Sequence, residues 1–210
     1  MTTDLEQRIA PLVNRRGLDF AAVDPSRPCG ARMKGFGLVH LLDVMDGRDP
    51  RLAAMWRETL PLPLRAGTER RAVTSIAWIP IELYFHGIEW LARRDGGPRK
   101  ALALGHAIAS ADIGAFFRFI FAAASPAMVL GLSGRFWKSY FDQSALKILS
   151  STPTSCVAEI SGWPLADECS LHELAGSLVA WMEASRARNA RLTRFELVDR
   201  DRLQLDAAWN

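Results

Sequence analysis

The sequence predicts one α+β domain that is mostly helical through about residue 142 and ends in a small antiparallel sheet of two hairpins. In the first two-thirds, apolar residues recur at the three- and four-residue steps of an amphipathic helix, and Pro, Ser and Gly mark the ends of the stretches. After residue 142, apolar and polar residues alternate as in half-buried strands. With 210 residues and 49% hydrophobic content, the chain can bury one sizeable core. The predicted order is helices followed by β-β-α-β-β.

The first 32 residues are predicted to form a helix and a linker. Apolar residues follow a helical period in residues 3–16, and Gly17 is a natural stop. Residues 24–30 are dense in turn formers, which is typical of a connection. We therefore divide the chain into an N-terminal part, 1–32, and an α+β domain, 33–210.

Three helices are predicted in the next stretch. The first two occupy residues 36–45 and 50–60. The second opens with Asp49 as N-cap and proline at N1, and it is ended by Pro61 and Pro63. The connection 62–74 carries several arginines and is expected to be exposed. Trp78-Ile-Pro80 is expected to open the third helix, whose apolar stripe continues to Asp95-Gly-Gly.

The most apolar helix of the chain is predicted to begin at Pro98. It is apolar on two faces, so we expect it to be buried nearly all round. His106 lies on its apolar stripe, where a neutral imidazole could ligate a metal or hydrogen-bond a ligand. A core histidine that is hydrogen-bonded to a neighbouring group is the commoner explanation of such a position. Ser125-Pro126 is an N-cap and N1 pair that begins a further helix to Tyr140, which the glycines within 131–134 could interrupt.

Two hairpins and one helix are predicted in the last third. Residues 145–149 and 156–160 form the first hairpin around a Ser-Ser-Thr-Pro turn, with Cys156, Ala158 and Ile160 on one face. An amphipathic helix follows at 171–184. Residues 192–198 and 203–209 form the second hairpin, in which Leu203, Leu205, Ala207 and Trp209 alternate with polar neighbours.

The composition argues against several classes of protein. The longest uncharged run, between Arg118 and Arg135, contains a Ser-Pro step and is shorter than the roughly 20 apolar residues of a membrane span. The start of the chain lacks the basic and apolar regions of a secretory signal, and its three cysteines form no CxxC pair, so we expect a cytoplasmic protein without a disulfide framework or a metal site. The arginines within 186–202 alternate with acidic residues, which disfavours a nucleic-acid partner.

Several strings, together with the order of elements, resemble a known superfamily over about residues 33–210. The strings are Met33-Lys-Gly-Phe, Trp78-Ile-Pro80 followed by Tyr84, Leu104-Gly-His-Ala107, Ser125-Pro126, Arg135-Phe-Trp-Lys-Ser-Tyr-Phe141 and the final Asp-Ala-Ala-Trp209. They resemble the bacterial 4-vinyl-reductase-like domains, which are kin to the TRAPP transport-complex subunits and the haem-nitric-oxide-binding (H-NOX) domains. The chain is most similar to uncharacterised, myxobacterial-type proteins of that fold.

This resemblance implies a sensory or assembly module that uses the space between helices and sheet for an apolar ligand, a haem or a lipid chain. H-NOX haem sensors carry a histidine on a buried helix and a Tyr-x-Ser-x-Arg clamp for the haem propionates. Here Tyr140 is followed by Asp142 and Ser144, so the serine and arginine are missing, and Asp142 would repel a propionate. The stretch 195–202 also lacks the paired cysteines of related vinyl-reductase-like domains. We therefore expect no cofactor, with haem as the disfavoured alternative.

The candidate ligand-contacting side chains are mostly aromatic and lie in the helical part of the chain. They are Trp78, His106, Phe116, Arg135, Trp137 and Tyr140. The preferred hypothesis is a sensing or adaptor domain that binds an apolar small molecule or a protein partner and forms a homodimer through its helices. One alternative is an enzyme that acts on an aromatic or lipid-like substrate, with His106, Tyr140 and a carboxylate as acid-base groups. The other alternative is a haem or gas sensor.

Overall fold

The structure, a computed structural model, describes residues 2–15, 17–20, 22–69, 73–113, 125–165 and 167–210. The helices are α1 (Thr2–Gln7), α2 (Phe36–Arg48), α3 (Leu52–Glu58), α4 (Leu62–Arg65), α5 (Ile81–Arg94), α6 (Ala101–Asp112), α7 (Pro126–Tyr140) and α8 (Glu168–Ala184), with short 3-10 turns at Ala66–Thr68 and Pro98–Lys100. The strands are β1 (Val13–Asn14), β2 (Arg32–Lys34), β3 (Trp78–Pro80), β4 (Ala145–Thr152), β5 (Ser155–Ser161), β6 (Arg191–Asp199) and β7 (Arg202–Ala208). The predicted α+β class is confirmed.

The main sheet has five strands in the order β1-β6-β7-β5-β4. The hairpin β4-β5 runs from the pair Ala145↔Ser161 to the pair Thr152↔Ser155, and β5 also pairs antiparallel with β7. The hairpin β6-β7 completes the antiparallel part, and α8 connects β5 to β6. Both hairpins therefore lie where the alternating sequence pattern placed them, and most strand ends lie slightly beyond the predicted ones, although β7 ends at Ala208 rather than at Trp209.

The N-terminal segment differs from the prediction, because its helix ends at Gln7 rather than near residue 16. Backbone bonds to the sheet replace the remaining helical turns: Leu192 N donates to Arg8 O at 2.9 Å and Ala10 N donates to Leu192 O at 2.8 Å. The strand β1 then pairs parallel with β6. The expectation of an entirely antiparallel sheet was therefore wrong at this edge. The division at residue 32 stays a prediction.

One prediction was confirmed and one was wrong between residues 62 and 80. The described residues of the connection 62–74 are mostly exposed, as expected, although they include α4 and a 3-10 turn in which Thr68 is buried. Trp78-Ile-Pro80 does not open a helix, because it forms β3 and pairs antiparallel with β2. Pro80 is extended, with φ −56° and ψ 129°, so α5 begins only at Ile81.

The helix α7 begins as predicted. Ser125 Oγ accepts a hydrogen bond from Met128 N at 3.3 Å, and Pro126 occupies the first turn. The helix continues through Gly131 and Gly134 to Tyr140, so the interruption considered for these glycines is absent. The apolar helix that begins after Pro98 is described only as far as Ile113, and its predicted continuation lies outside the described residues. In the described part of the chain, no helix is long and apolar enough to cross a membrane.

The helices α6 and α8 pack so closely that each has a glycine at the contact. A Cβ atom added to Gly105 would lie 2.0 Å from the carbonyl oxygen of Glu173, and one added to Gly176 would lie 2.0 Å from that of Leu102. Ordinary side chains cannot occupy either position without a shift of backbone. This contact fixes the position of Glu173 in the interior.

Candidate functional site

An apolar cavity of about 60 Å³ lies among the helices α2, α5, α6, α7 and α8 and the strand β4. Its walls are mostly aromatic and aliphatic, and they include Met33, Phe85, Ile108, Trp137, Phe141 and Leu174. Most of these side chains belong to the main hydrophobic core. The cavity therefore lies between the helices and the sheet, where the sequence analysis placed a ligand.

A buried carboxyl group with two hydroxyl donors forms a polar part of this cavity wall. Tyr84 Oη donates to Glu173 Oε1 at 2.7 Å, and Ser177 Oγ donates to the same oxygen at 2.9 Å. Burial raises the pKa of Glu173 to about 7, and it also raises the pKa of Tyr84 well above its ordinary value. Near neutral pH, Glu173 therefore exists as a mixture of the carboxylic acid and the carboxylate.

A second carboxyl group of the wall, Asp112, pairs with a histidine on α2. His40 Nε2 lies 3.1 Å from Asp112 Oδ1, and its Nδ1 lies 3.6 Å from Asp43 Oδ2. His40 Nε2 and Asp112 Oδ1 are close enough for a hydrogen bond but are not aligned for one, so they form an ion pair when His40 is protonated and Asp112 is ionised. The contact with Asp112 raises the pKa of His40, whereas burial raises the pKa of Asp112.

A second apolar cavity, also of about 60 Å³, lies between α7, α8 and the inner face of the sheet. Cys156, Ala158 and Ile160 are buried on one face of β5, as predicted, and the first two line this cavity. Leu146, Leu178 and Trp181 line both cavities. These three side chains are therefore the partition between the two spaces.

Two of the predicted site residues line the first cavity. Trp137 is buried, and its Nε1 donates to Ser144 Oγ at 2.8 Å, which fixes the ring orientation. The ring of Tyr140 packs edge-to-face on that of Trp181, with centroids 5.4 Å apart. Both side chains come from the last turns of α7.

Three other predicted site residues lie elsewhere. The described residues that line either cavity do not include Trp78, His106 or Arg135. His106 Nε2 lies 2.7 Å from Glu183 Oε2, while Arg8 Nη2 contacts the other oxygen of that carboxylate at 2.5 Å. Trp78 is partly exposed on β3, with Lys34 Nζ 4.1 Å from its ring centroid. Arg135 is exposed on α7. Phe116 lies outside the described residues.

Sequence reasoning missed the carboxyl groups of the cavity wall. The N-cap of α8 is Asp167, and both His172 and Glu173 on this helix are buried. Burial lowers the pKa of His172 to about 4. The sequence does contain a signal for the burial of Glu173. This residue lies four positions after Cys169 and three before Gly176, so all three are on the packed face of the helix.

Comparison with known proteins identifies the fold but no relative by sequence. The Fe(II) unliganded H-NOX protein from K. algicida and an alanine-to-glycine mutant of it superpose with TM-scores of 0.63 and 0.64. Each is 14% identical to this chain, and each match covers 85% of this chain and 97% of the other. No family model matches the sequence, and no curated protein matches it. The chain therefore has an H-NOX-like fold.

Proposed function

We propose that this chain is a sensing or adaptor domain that binds a small apolar molecule between its helices and its sheet. The observation that supports this proposal is the pair of adjoining apolar cavities, which three side chains, Leu146, Leu178 and Trp181, separate. An H-NOX-like fold is also consistent with a sensor domain. The cavity wall offers few polar groups, so apolar contact supplies most of the affinity.

The size of the cavities limits the ligand. Each holds about 60 Å³, whereas an apolar protein cavity of about 150 Å³ accepts one benzene molecule. A ring-sized ligand therefore requires the partition to move, so that both spaces serve one molecule. Trp181 is the largest of the three partition side chains, so its displacement would open the most space.

Native mass spectrometry of freshly purified protein is the first test, because a retained small molecule identifies a ligand directly. The second test is a thermal shift with benzene as the probe. At ten times the dissociation constant, a bound ligand adds about 1.4 kcal/mol to the free energy of unfolding. The variant Ala109→Leu fills the first cavity and Ala158→Leu fills the second, and each should abolish the benzene shift because one ring-sized ligand needs both spaces.

We expect the wild-type protein to show the shift and both filled variants to lose it. The proposal fails if no molecule is retained and benzene shifts none of the proteins. It also fails if both filled variants keep the wild-type shift, because the ligand then binds elsewhere.

The iron of the two Fe(II) H-NOX structures makes a haem sensor the natural alternative. The described residues fit a haem poorly. No histidine lies among the described residues of either cavity wall, and no group of three or more His, Cys, Asp or Glu in that part of the chain could hold a metal. Asp112 and Glu173 are in the wall of the first cavity, and their ionised forms would repel haem propionates. An absorption spectrum after reconstitution with haemin tests this alternative, and a Soret band shifted by binding would support it.

The enzyme alternative requires His106 and Tyr140 to converge in one concave site. Tyr140 lies in the wall of the first cavity, but the imidazole of His106 pairs with Glu183 beside Arg8. The observed geometry therefore favours binding over catalysis by these two groups.

A further inference from the structure

A polar groove of about 540 Å³ lies apart from the two apolar cavities. It is formed by the segment 18–27, the start of α5 and the connection from β5 to α8, and it shares none of their described wall residues. Its volume falls in the range of small-molecule binding sites, which is about 300–1,000 Å³. Among its wall residues are two buried acids, Glu82 and Asp167.

Each of these two carboxylates uses one oxygen for the fold and leaves the other without a partner. Glu82 Oε1 accepts a hydrogen bond from the backbone N–H of Cys29, and Asp167 Oδ1 accepts one from Ser170 N at 2.8 Å. Glu82 Oε2 and Asp167 Oδ2 are buried and have no hydrogen-bond partner. Glu82 is 2% exposed and Asp167 is 5% exposed. Within the chain, the Cys29 thiol is the side-chain donor beside Glu82, and a thiol is a weak donor. Because native structures rarely leave a buried carboxylate oxygen unpaired, a stronger donor from outside the chain is expected at this place.

A neighbouring acid shows that burial in this region does not itself leave an oxygen unpaired. Glu89 is also buried, but its Oε2 accepts from Val23 N at 2.8 Å and its Oε1 accepts from Arg93 Nη2 at 2.7 Å. Glu89 is absent from the described wall of the groove. Of these three neighbouring buried acids, only the two that line the groove have an oxygen without a hydrogen bond.

The charges of the groove indicate what the missing donor is. Asp19 and Asp24 lie at its exposed rim beside Arg27 and Arg200, and Arg27 Nε is 3.5 Å from Asp24 Oδ2. The wall therefore holds four carboxylates and two guanidinium groups among its described residues. A primary ammonium group is a cation with three donors and no acceptor, so it complements unpaired carboxylate oxygens. A metal ion fits less well, because the described residues contain no cluster of three metal-ligating side chains.

We propose that this groove binds a small organic molecule through a primary ammonium group, with Glu82 and Asp167 as the acceptors. This site is independent of the apolar cavities, so the experiment that tests it does not test the function proposed above. The two rim arginines offset part of the negative charge, and they allow a ligand that also carries a carboxylate.

The test is isothermal titration calorimetry of the full chain at pH 7.5, with pentylamine as the probe and pentan-1-ol as its uncharged counterpart. The double variant Glu82→Gln, Asp167→Asn removes both charges and keeps the structural oxygens, because an amide oxygen still accepts from Cys29 N and asparagine is a good N-cap. Glu159→Gln, on β5 and outside the described groove wall, is the matched charge-loss control. Circular dichroism and thermal unfolding establish that each variant is folded.

We expect pentylamine to bind the wild-type protein and the Glu159→Gln variant with equal affinity, and pentan-1-ol to bind at least tenfold more weakly. The folded double variant should lose at least tenfold in pentylamine affinity. Equal binding of amine and alcohol, unchanged affinity in the folded double variant, or no pentylamine binding to the wild-type protein would overturn the proposal. If the double variant does not fold, the single variant Asp167→Asn is used with the same criterion, since asparagine keeps the N-cap.

Discussion

Replacement of Gly105 by alanine is predicted to be strongly destabilising, because the new Cβ has no room between α6 and α8. That atom would lie 2.0 Å from the carbonyl oxygen of Glu173 and 2.8 Å from its carbonyl carbon. Ordinary van der Waals contact begins at 3.4 Å, so the two backbones must separate by more than 1 Å. Overpacking of a core typically costs about 1–3 kcal/mol, and rigid backbone on both sides places this case near the upper end. For a chain of this size, about 3 kcal/mol lowers Tm by roughly 6–12 °C.

Gly131→Ala on α7 is the matched control for this prediction. Gly131 is exposed in a helix interior, and a Cβ added there meets nothing within 4 Å. Alanine is a better helix former, so this variant should be more stable by about 0.5–1 kcal/mol. Differential scanning calorimetry measures both changes. If Gly105→Ala is no less stable than Gly131→Ala, the close contact between α6 and α8 is not a feature of the folded protein.

Further predictions concern pH and assembly. Burial raises the pKa of Glu173 from its ordinary 4.5 to about 7. As pH rises from 4.5 to 7, the free energy of unfolding of the wild-type protein should therefore fall by about 3 kcal/mol relative to that of Glu173→Gln. If the difference in stability between the two proteins does not change across this range, the raised pKa is wrong. Burial lowers the pKa of His172 from 6.5 to about 4, so its contribution to stability is present above pH 6.5 and is lost as pH falls toward 4. The free energy of unfolding of the variant His172→Leu should therefore depend less on pH between 6.5 and 4 than that of the wild-type protein. The predicted homodimer should give twice the monomer mass in light scattering at high protein concentration, and a monomer mass there would refute it.

The sequence predicted those elements whose ends are marked by local chemistry. Ser125 and Pro126 determine the start of α7 through a cap hydrogen bond and a fixed φ, and both effects act within one turn of the chain. Alternation in β5 predicted its buried face for a similarly local reason. Each of these predictions depends on interactions between residues that are close in sequence.

The features that sequence reasoning missed depend on distant partners. The segment after Gln7 has helical periodicity, but its backbone pairs with β6, more than 180 residues away. Likewise, Trp78 belongs to a strand because β2 lies beside it. Glu173 is identified as a wall residue only when Tyr84 and the cavity are in place. The candidate site was thus predicted in its location and in part of its aromatic lining, whereas its carboxyl groups were not.

The parallel pairing of β1 with β6 protects one edge of the sheet from pairing with another molecule. An edge strand with unpaired N–H and C=O groups is a template for pairing with another chain, and the N-terminal segment covers part of that edge. The other edge, β4, carries an irregularity between Ile148 and Ser150, which is a common device against edge-to-edge pairing. Loss of residues 2–15 would therefore expose one long edge of β6, and the shortened chain should aggregate through strand addition even where its core remains folded.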